Sequence, residues 1–229
     1  MSQLIDNLNT IESIKTDIKT ALENKGVDMT GISFPGYASK IGEISGGSGW
    51  DQKSLTEGAI EIINLDNSAS FVASDAFKNN NTIQTVNLPY ATSVGEYAFN
   101  SCNSLTQVSL PMCSLINNYA FASCNSLTRV SLPMCSLINN GAFQRCSSLT
   151  QISLPVCSYI GAAAFYRCRL LSIITIGYSG ICSLISSGAF NGAQITSSIG
   201  SIYVPASLVD SYKSAPKWSY FSTQIFPIE

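Results

Sequence analysis

The chain has 229 residues, of which 45% are hydrophobic and only 11% are charged, and its formal net charge is -2 at pH 7. This apolar composition excludes a disordered chain, and the lack of basic excess argues against nucleic-acid binding. The sequence contains no histidine, which excludes an imidazole base or an imidazole metal ligand.

The first residues predict neither export nor membrane insertion. Residues 1–7 lack a basic segment, and Asp6 and Glu12 interrupt the apolar stretch, so we expect no secretion signal. The longest uncharged stretch runs from Leu170 to Val209, where glycines and serines break any spanning helix.

Residues 3–25 carry apolar side chains at steps of three and four, with charged side chains between them. This spacing predicts an amphipathic helix of about six turns that ends at Gly26. Either the apolar stripe packs on residues 27–44, or it joins copies of the chain or docks on another protein. Its spacing is close to that of a coiled coil, which favours oligomerisation or docking. The stripe consists of Leu4, Leu8, Ile11, Ile14, Ile18 and Leu22.

Charge divides the chain into two modules. Residues 1–57 contain eight acidic and five basic residues, whereas residues 67–200 contain two acidic and five basic residues. We therefore predict that a flexible glycine-serine linker (45–53) joins two modules. The first is a helical anchor or oligomerisation module (1–44). The second consists of a repeat region (54–201) and a C-terminal cap (202–229).

Residues 18–44, IKTALENKGVDMTGISFPGYASKIGEI, resemble a short module found near the start of tailed-bacteriophage virion proteins. In those proteins the module precedes fibre, adhesin or appendage domains. The resemblance implies an anchor within a virion.

The remainder of the chain repeats with a period of 22 residues. Such a period predicts stacked coils, each with one short strand, in which equivalent side chains form ladders about 4.8 Å apart. One coil cannot bury its apolar face alone, so the stack needs caps. We expect Tyr212, Trp218, Tyr220 and Phe221 to supply the C-terminal one. Ala-Phe pairs end at Phe77, Phe99, Phe121, Phe143 and Phe165, and after 25 residues at Phe190.

The strand of each coil predicts a polar outer face. In residues 105–110, Leu105, Val108 and Leu110 should point inward, and Gln107 and Ser109 outward. This face is a candidate binding surface for a glycan or a protein backbone. Alternatively, its residues are solvated positions that repeat duplication keeps alike. The two predicted ladders are Thr85, Gln107, Arg129 and Gln151, and Asn87, Ser109, Ser131 and Ser153.

The consensus A-F-x-x-C-x-S-L-T-x-V-S-L-P-x-C-x-x-I resembles that of the BspA-like leucine-rich repeats over residues 55–226. The resemblance implies a β-rich solenoid of short parallel strands, here preceded by an amphipathic α-helical module. The family includes adhesins, virion proteins and other surface proteins, so it implies a fold more closely than a role.

Eight cysteines fall on two ladders at repeat positions. Buried, reduced thiols explain this pattern better than disulfides, whose geometry suits parallel Cβ directions badly. Spacings of about eleven residues do not favour zinc, which prefers paired ligands. Arg145 and Arg167 precede Cys146 and Cys168, but we expect core cysteines there and not nucleophiles.

Residues 67–200 contain only two carboxylates, Asp75 and Glu96, and these are not at equivalent repeat positions. Paired acid catalysis across a sugar is therefore not indicated. We predict no enzymatic activity, catalytic residue, metal or cofactor.

The first functional hypothesis is a structural attachment protein of a phage virion, a fibre or a head or tail appendage, assembled in the bacterial cytoplasm. Its expected partners are copies of itself, other virion proteins and a host-surface glycan or protein. The second is a bacterial cell-surface adhesin of the BspA-like kind. The third is an architectural spacer without a ligand.

Overall fold

The computed structural model describes residues 61–63, 71–197 and 199–228. They belong to the second of two units into which the chain divides, Ala59–Glu229; the first, Met1–Gly58, lies outside them. The predicted helix, its apolar stripe and the linker therefore also lie outside the described residues. None of the described helices is long and apolar enough to cross a membrane.

In the described residues, short parallel strands form three sheets. The first has the order β1-β3-β5-β7, the second β12-β10-β8-β6-β4-β2, and the third β14-β13-β11-β9. The strands are β1 (Glu61–Ile63), β2 (Phe71–Val72), β3 (Thr85–Asn87), β4 (Ser93–Val94), β5 (Gln107–Ser109), β6 (Leu115–Ile116), β7 (Arg129–Ser131), β8 (Leu137–Ile138), β9 (Gln151–Leu154), β10 (Tyr159–Ile160), β11 (Ile173–Ile176), β12 (Ser183–Leu184), β13 (Ser201–Val204) and β14 (Ile225–Pro227).

The strand register follows the sequence period. Val86 pairs with Val108, and Val108 pairs with Val130, so each coil stacks on the next after 22 residues. Leu105, Val108 and Leu110 are buried and Gln107 is exposed, which confirms the predicted alternation. A repeating parallel-strand fold therefore follows from the repeated pattern.

Phenylalanine rings form a continuous column inside the stack. Adjacent rings from Phe77 to Phe190 are parallel or nearly so, with centroids 5.0 Å apart at the first pair and 5.7 Å at the last. The rings from Phe99 onwards are fully buried. Because each ring contacts the equivalent ring of the next coil, the column connects all the regular coils.

The coil between Phe165 and Phe190 is three residues longer than the regular coils, and the strand pairing beyond it does not follow the 25-residue step of the phenylalanines. The sequence pattern aligns Ile185 with Ile160, but Ile160 pairs with Leu184, which is buried, while Ile185 is 38% exposed. Backbone hydrogen bonds set the observed pairing: Ser183 N–H donates to the Ser158 carbonyl at 2.8 Å.

The C-terminal segment covers the last coil. It contains the helix α1 (Val209–Ser214) and a 3-10 helix over Trp218–Gln224. The Trp218 ring packs on Phe190 at the end of the phenylalanine column, with centroids 6.1 Å apart. Trp218 Nε1 donates to the Cys182 carbonyl at 2.7 Å. Tyr220, predicted to contribute to this cap, is instead 76% exposed.

Candidate functional site

Three neighbouring strands of the first sheet line a shallow groove of about 390 Å³. The groove is the surface that the alternating strand pattern predicts. Backbone pairing places equivalent polar residues side by side, in two rows that cross the strands. One row is Thr85, Gln107 and Arg129, and the other is Asn87, Ser109 and Ser131.

The chemistry of this groove is polar, with Arg129 as its charged group. Among the described residues, the Gln107 and Arg129 side chains make no hydrogen bond or ion pair within the chain, so their polar groups face solvent. Val86 and Val108, which lie between the rows, point into the core and are buried. A surface of amide, hydroxyl and guanidinium groups suits hydrogen bonding to a ligand.

The two predicted ladders are not continuous. Gln151 and Ser153 lie in the third sheet, where they pair with Ile173 and Thr175. No backbone pairing joins β7 to β9 in the described part of the chain, although β8 and β10 remain paired on the second sheet. The prediction of one unbroken face was therefore wrong at this point.

A second groove of about 270 Å³ marks the break between β7 and β9. Arg129 and Val130 line one side, and Gln151, Ile152 and Ser153 line the other. Val130 is only partly buried, unlike the equivalent Val108 and Ile152. Arg129 lines both grooves, which makes it the central charged residue of the sheet face.

A third depression, of about 430 Å³, was not identified from the sequence. It is lined by three arginines, Arg145, Arg167 and Arg169, called the arginine patch below, and by Ser123, Asn125 and Ser147. The signal was available in the repeat: Ser101 and Ser123 become Arg145 and Arg167 at the same position of later coils.

The eight cysteines are buried and unpaired, as the ladder pattern predicts. Four thiols donate to backbone carbonyls 25 residues earlier; Cys124, for example, donates to the Phe99 carbonyl at 3.1 Å. Burial raises the pKa of Cys102 and of Cys113 from 9.0 to about 11. Burial also raises the pKa of Cys146, although the exposed Arg145 precedes it. The raised pKa values of Cys102, Cys113 and Cys146 are properties of core thiols and not of nucleophiles.

We expect the buried thiols to make the protein less stable at alkaline pH. A thiol ionises near pH 9 in the unfolded chain, whereas Cys102 and Cys113 ionise near pH 11 in the folded chain. Unfolding therefore releases protons in this window, and the free energy of unfolding falls as pH rises, on the order of 1 kcal/mol per pH unit for each such thiol. Urea unfolding between pH 7 and pH 10.5 measures the slope.

The matched variant for this experiment is Cys102→Ala with Cys113→Ala, compared with the parent protein at the same pH values. The slope above pH 9 should be smaller in the double variant than in the parent protein, and the two slopes should agree below pH 8. Equal slopes in the two proteins would contradict a raised pKa at these sites.

Within residues 71–197 and 199–228, no three cysteine or carboxylate side chains converge as metal ligands would. The Asp75 carboxylate accepts a hydrogen bond from Lys78 Nζ at 2.7 Å, in an exposed ion pair. This part of the structure therefore offers hydrogen-bonding and guanidinium surfaces as its candidate sites.

Three solved structures of other proteins match part of this chain. A leucine-rich repeat protein from Bacteroides ovatus matches with a TM-score of 0.59 and 23% identity, over 75% of this chain and 43% of that one. A leucine-rich cell surface protein from Faecalibacterium prausnitzii matches with a TM-score of 0.38 and 25% identity, over 52% and 38%. The pneumococcal vaccine antigen PcpA matches with a TM-score of 0.47 and 16% identity, over 74% and 41%.

The likeness to the Bacteroides ovatus protein concerns the fold alone. The chain spans less than half the length of each of these structures. No curated protein matches the chain. A model of the BspA-type leucine-rich repeat region matches residues 52–155 and 136–215, with six copies. That match covers most of the sequence and agrees with the observed coils. The chain belongs to the BspA-type leucine-rich repeat family.

Proposed function

We propose that this protein is a non-catalytic binding protein that docks a partner on the polar face of its first sheet. The observation that carries the proposal is the register of β3, β5 and β7, which gathers six polar side chains into one groove. Regular stacking holds these groups at fixed spacing, so little ordering is needed when a ligand binds. An extended ligand with alternating donors and acceptors fits such a face.

The setting that we propose is the bacterial cell surface, where the protein acts as an adhesin. The resemblance to a family that includes adhesins and other surface proteins supports this setting, and the residues matched by the family include the groove. An adhesin needs a rigid display surface and not a reaction centre. The coil stack, with its internal phenylalanine column, supplies that rigidity.

A virion attachment role would use the same groove in another setting. It rests on the resemblance of residues 18–44, which lie outside the described residues and outside the family match, which begins at residue 52. In either setting, assembly through the Leu/Ile stripe of residues 4–22 would join copies of the groove. Several weak sites would then bind with high avidity.

Binding of the full chain to arrayed host glycans and immobilised matrix proteins tests the proposal. The variant is Gln107→Ala with Arg129→Ala, which removes amide and guanidinium groups from the centre of the groove. We expect its affinity for the glycan or matrix protein that the parent protein binds to fall by about tenfold or more. The reason is that hydrogen bonds to charged groups contribute about 1.5–3 kcal/mol.

The control variant is Met134→Ala, which changes an exposed side chain on the loop between β7 and β8. It should bind like the parent protein. Undiminished binding by the double variant would place the ligand elsewhere. If the parent protein binds none of the glycans or matrix proteins, the spacer interpretation is favoured.

A further inference from the structure

The arginine patch lies at the turns that follow the buried phenylalanines of two successive coils. Arg145 and Arg167 occupy equivalent positions, both in left-handed backbone conformation, with φ of 62° and 58°. Arg145 N–H donates to the Tyr166 carbonyl at 2.7 Å, and Arg167 N–H donates to the Asn191 carbonyl at 2.8 Å. The turns are thus stacked one coil apart, about 4.8 Å in backbone spacing.

The coil that follows Arg167 leaves room for the Arg167 side chain. Gly192 takes the equivalent position there, and a Cβ atom on it would lie 3.4 Å from Arg167 Cγ. The aliphatic part of Arg167 therefore extends over a residue that has no side chain. Its guanidinium also lies 5.1 Å from the centre of the Tyr166 ring, which fixes its direction.

In the described part of the chain, no carboxylate pairs with these arginines. Residues 97–209 contain four arginines and no aspartate or glutamate. By contrast, Lys78 is held by Asp75 in the first described coils. Among the described residues, the guanidinium groups of Arg145 and Arg169 have no hydrogen-bond or ion-pair partner. Three like charges around one depression repel each other, and an anion placed between them relieves that repulsion.

The rest of the lining indicates what kind of anion fits. Ser123, Asn125 and Ser147 complete the depression, so all six lining residues are polar. A protein interface of this size would normally present an aromatic or aliphatic anchor at its centre. Hydroxyl and amide groups instead suit sugar hydroxyls, while guanidinium groups match planar or tetrahedral oxyanions bidentately.

We infer that the arginine patch binds an anionic polysaccharide through its sulfate or carboxylate groups. The repeat of the coils would set two arginines beside successive acidic groups of the polymer, and the serine and asparagine side chains would contact the sugar hydroxyls. This site is separate from the sheet-face groove, because the depression does not include Arg129. It therefore stands independently of the proposed function.

The repeat itself supplies substitutions that the fold already accepts. Serine occupies the Arg145 and Arg167 position in earlier coils (Ser101, Ser123), and asparagine occupies the Arg169 position (Asn103, Asn125). The test variant is therefore Arg145→Ser, Arg167→Ser and Arg169→Asn in the full chain. Lys213→Gln removes one exposed cation from α1 as a control for net charge. Arg129→Gln introduces the residue type that neighbouring coils carry at this position, and it tests the sheet face.

Calorimetry or biolayer interferometry with four probes measures binding: heparin, polygalacturonate, neutral dextran and a DNA duplex. We expect binding to heparin, to polygalacturonate or to both, which separates sulfate from carboxylate recognition, and none to dextran. The triple variant should bind more weakly than the parent protein by about tenfold or more, and added salt should weaken the binding of the parent protein. Lys213→Gln and Arg129→Gln should bind like the parent protein.

Four outcomes would overturn the inference. Three of them are no binding to either acidic polysaccharide, unchanged binding by the triple variant, and a loss with Arg129→Gln as large as with the triple variant. Tighter binding to DNA than to both polysaccharides would also reject it in favour of a general polyanion surface. Circular dichroism and thermal unfolding of each variant verify that the fold is kept.

Discussion

Phe143→Ala should lower the free energy of unfolding by about 3–5 kcal/mol. The Phe143 ring is fully buried and lies between Phe121 and Phe165, with centroid distances of 5.4 Å and 5.5 Å. Its removal opens a cavity in the middle of the phenylalanine column. Since each coil is stabilised by its neighbours, the loss weakens the contacts on both sides. Urea unfolding followed by circular dichroism measures the change.

Met134→Ala is the control for this substitution, because the Met134 side chain is 53% exposed and its truncation should change stability by less than about 0.5 kcal/mol. Phe143→Leu should fall between the two, since it retains part of the buried area. Equal stability of Phe143→Ala and Met134→Ala would mean that the column does not hold the coils together.

Trp218→Ala should also destabilise the protein by about 3–5 kcal/mol, through loss of the cap on the last coil. Trp218 is 1% exposed, and its ring contacts both Phe190 and Tyr212. Its indole N–H also donates to the Cys182 carbonyl. The backbone N–H of Cys182 in turn donates to the Tyr212 hydroxyl at 2.8 Å. The substitution therefore removes packing and a buried hydrogen bond together. Thermal unfolding and urea unfolding measure the loss.

Tyr220→Ala is the matched control, because it removes an aromatic side chain from the same 3-10 helix at a site that is 76% exposed. It should leave stability within about 0.5 kcal/mol of the parent protein. Trp218→Phe keeps most of the apolar area and should cost about 1–3 kcal/mol for the unsatisfied carbonyl. If Trp218→Ala and Tyr220→Ala unfold alike, the cap contributes nothing to the stack.

The core of the repeat region was predictable because every coil faces the same packing problem. A residue buried in one coil contacts its equivalents in the next, so one choice of side chain is repeated along the ladder. Phe121 and Cys124 recur for this reason, and their burial follows from the period alone. The inward and outward alternation around Val108 follows equally from the pleat of a strand.

The break between β7 and β9 was not predictable from the amino-acid sequence. The strand residues RVSL at 129–132 follow the same pattern as QVSL at 107–110 and QISL at 151–154. Whether two backbones come close enough to hydrogen-bond depends on the positions of whole coils. In the structure, Gln151 and Ser153 pair with Ile173 and Thr175 in the third sheet, and the predicted face is divided at Arg129.

The cap shows the same division between local pattern and packing. Four large aromatic residues predicted an apolar cover for the last coil, but only Tyr212, Trp218 and Phe221 are buried. In a 3-10 helix successive side chains point about 120° apart, so Tyr220 turns to solvent when Trp218 and Phe221 face the core. Composition alone does not distinguish these positions.

The sequence by itself determined the period, the buried columns, the reduced state of the cysteines and the polar character of the sheet face. Each of these depends on contacts between equivalent residues 22 positions apart. The tertiary structure decided where the sheet divides and that Ile160 pairs with Leu184 beyond the longer coil. It also decided that Arg145, Arg167 and Arg169 surround one depression. Those features depend on the positions of entire coils, because groups distant along the chain meet only where the stack brings them together.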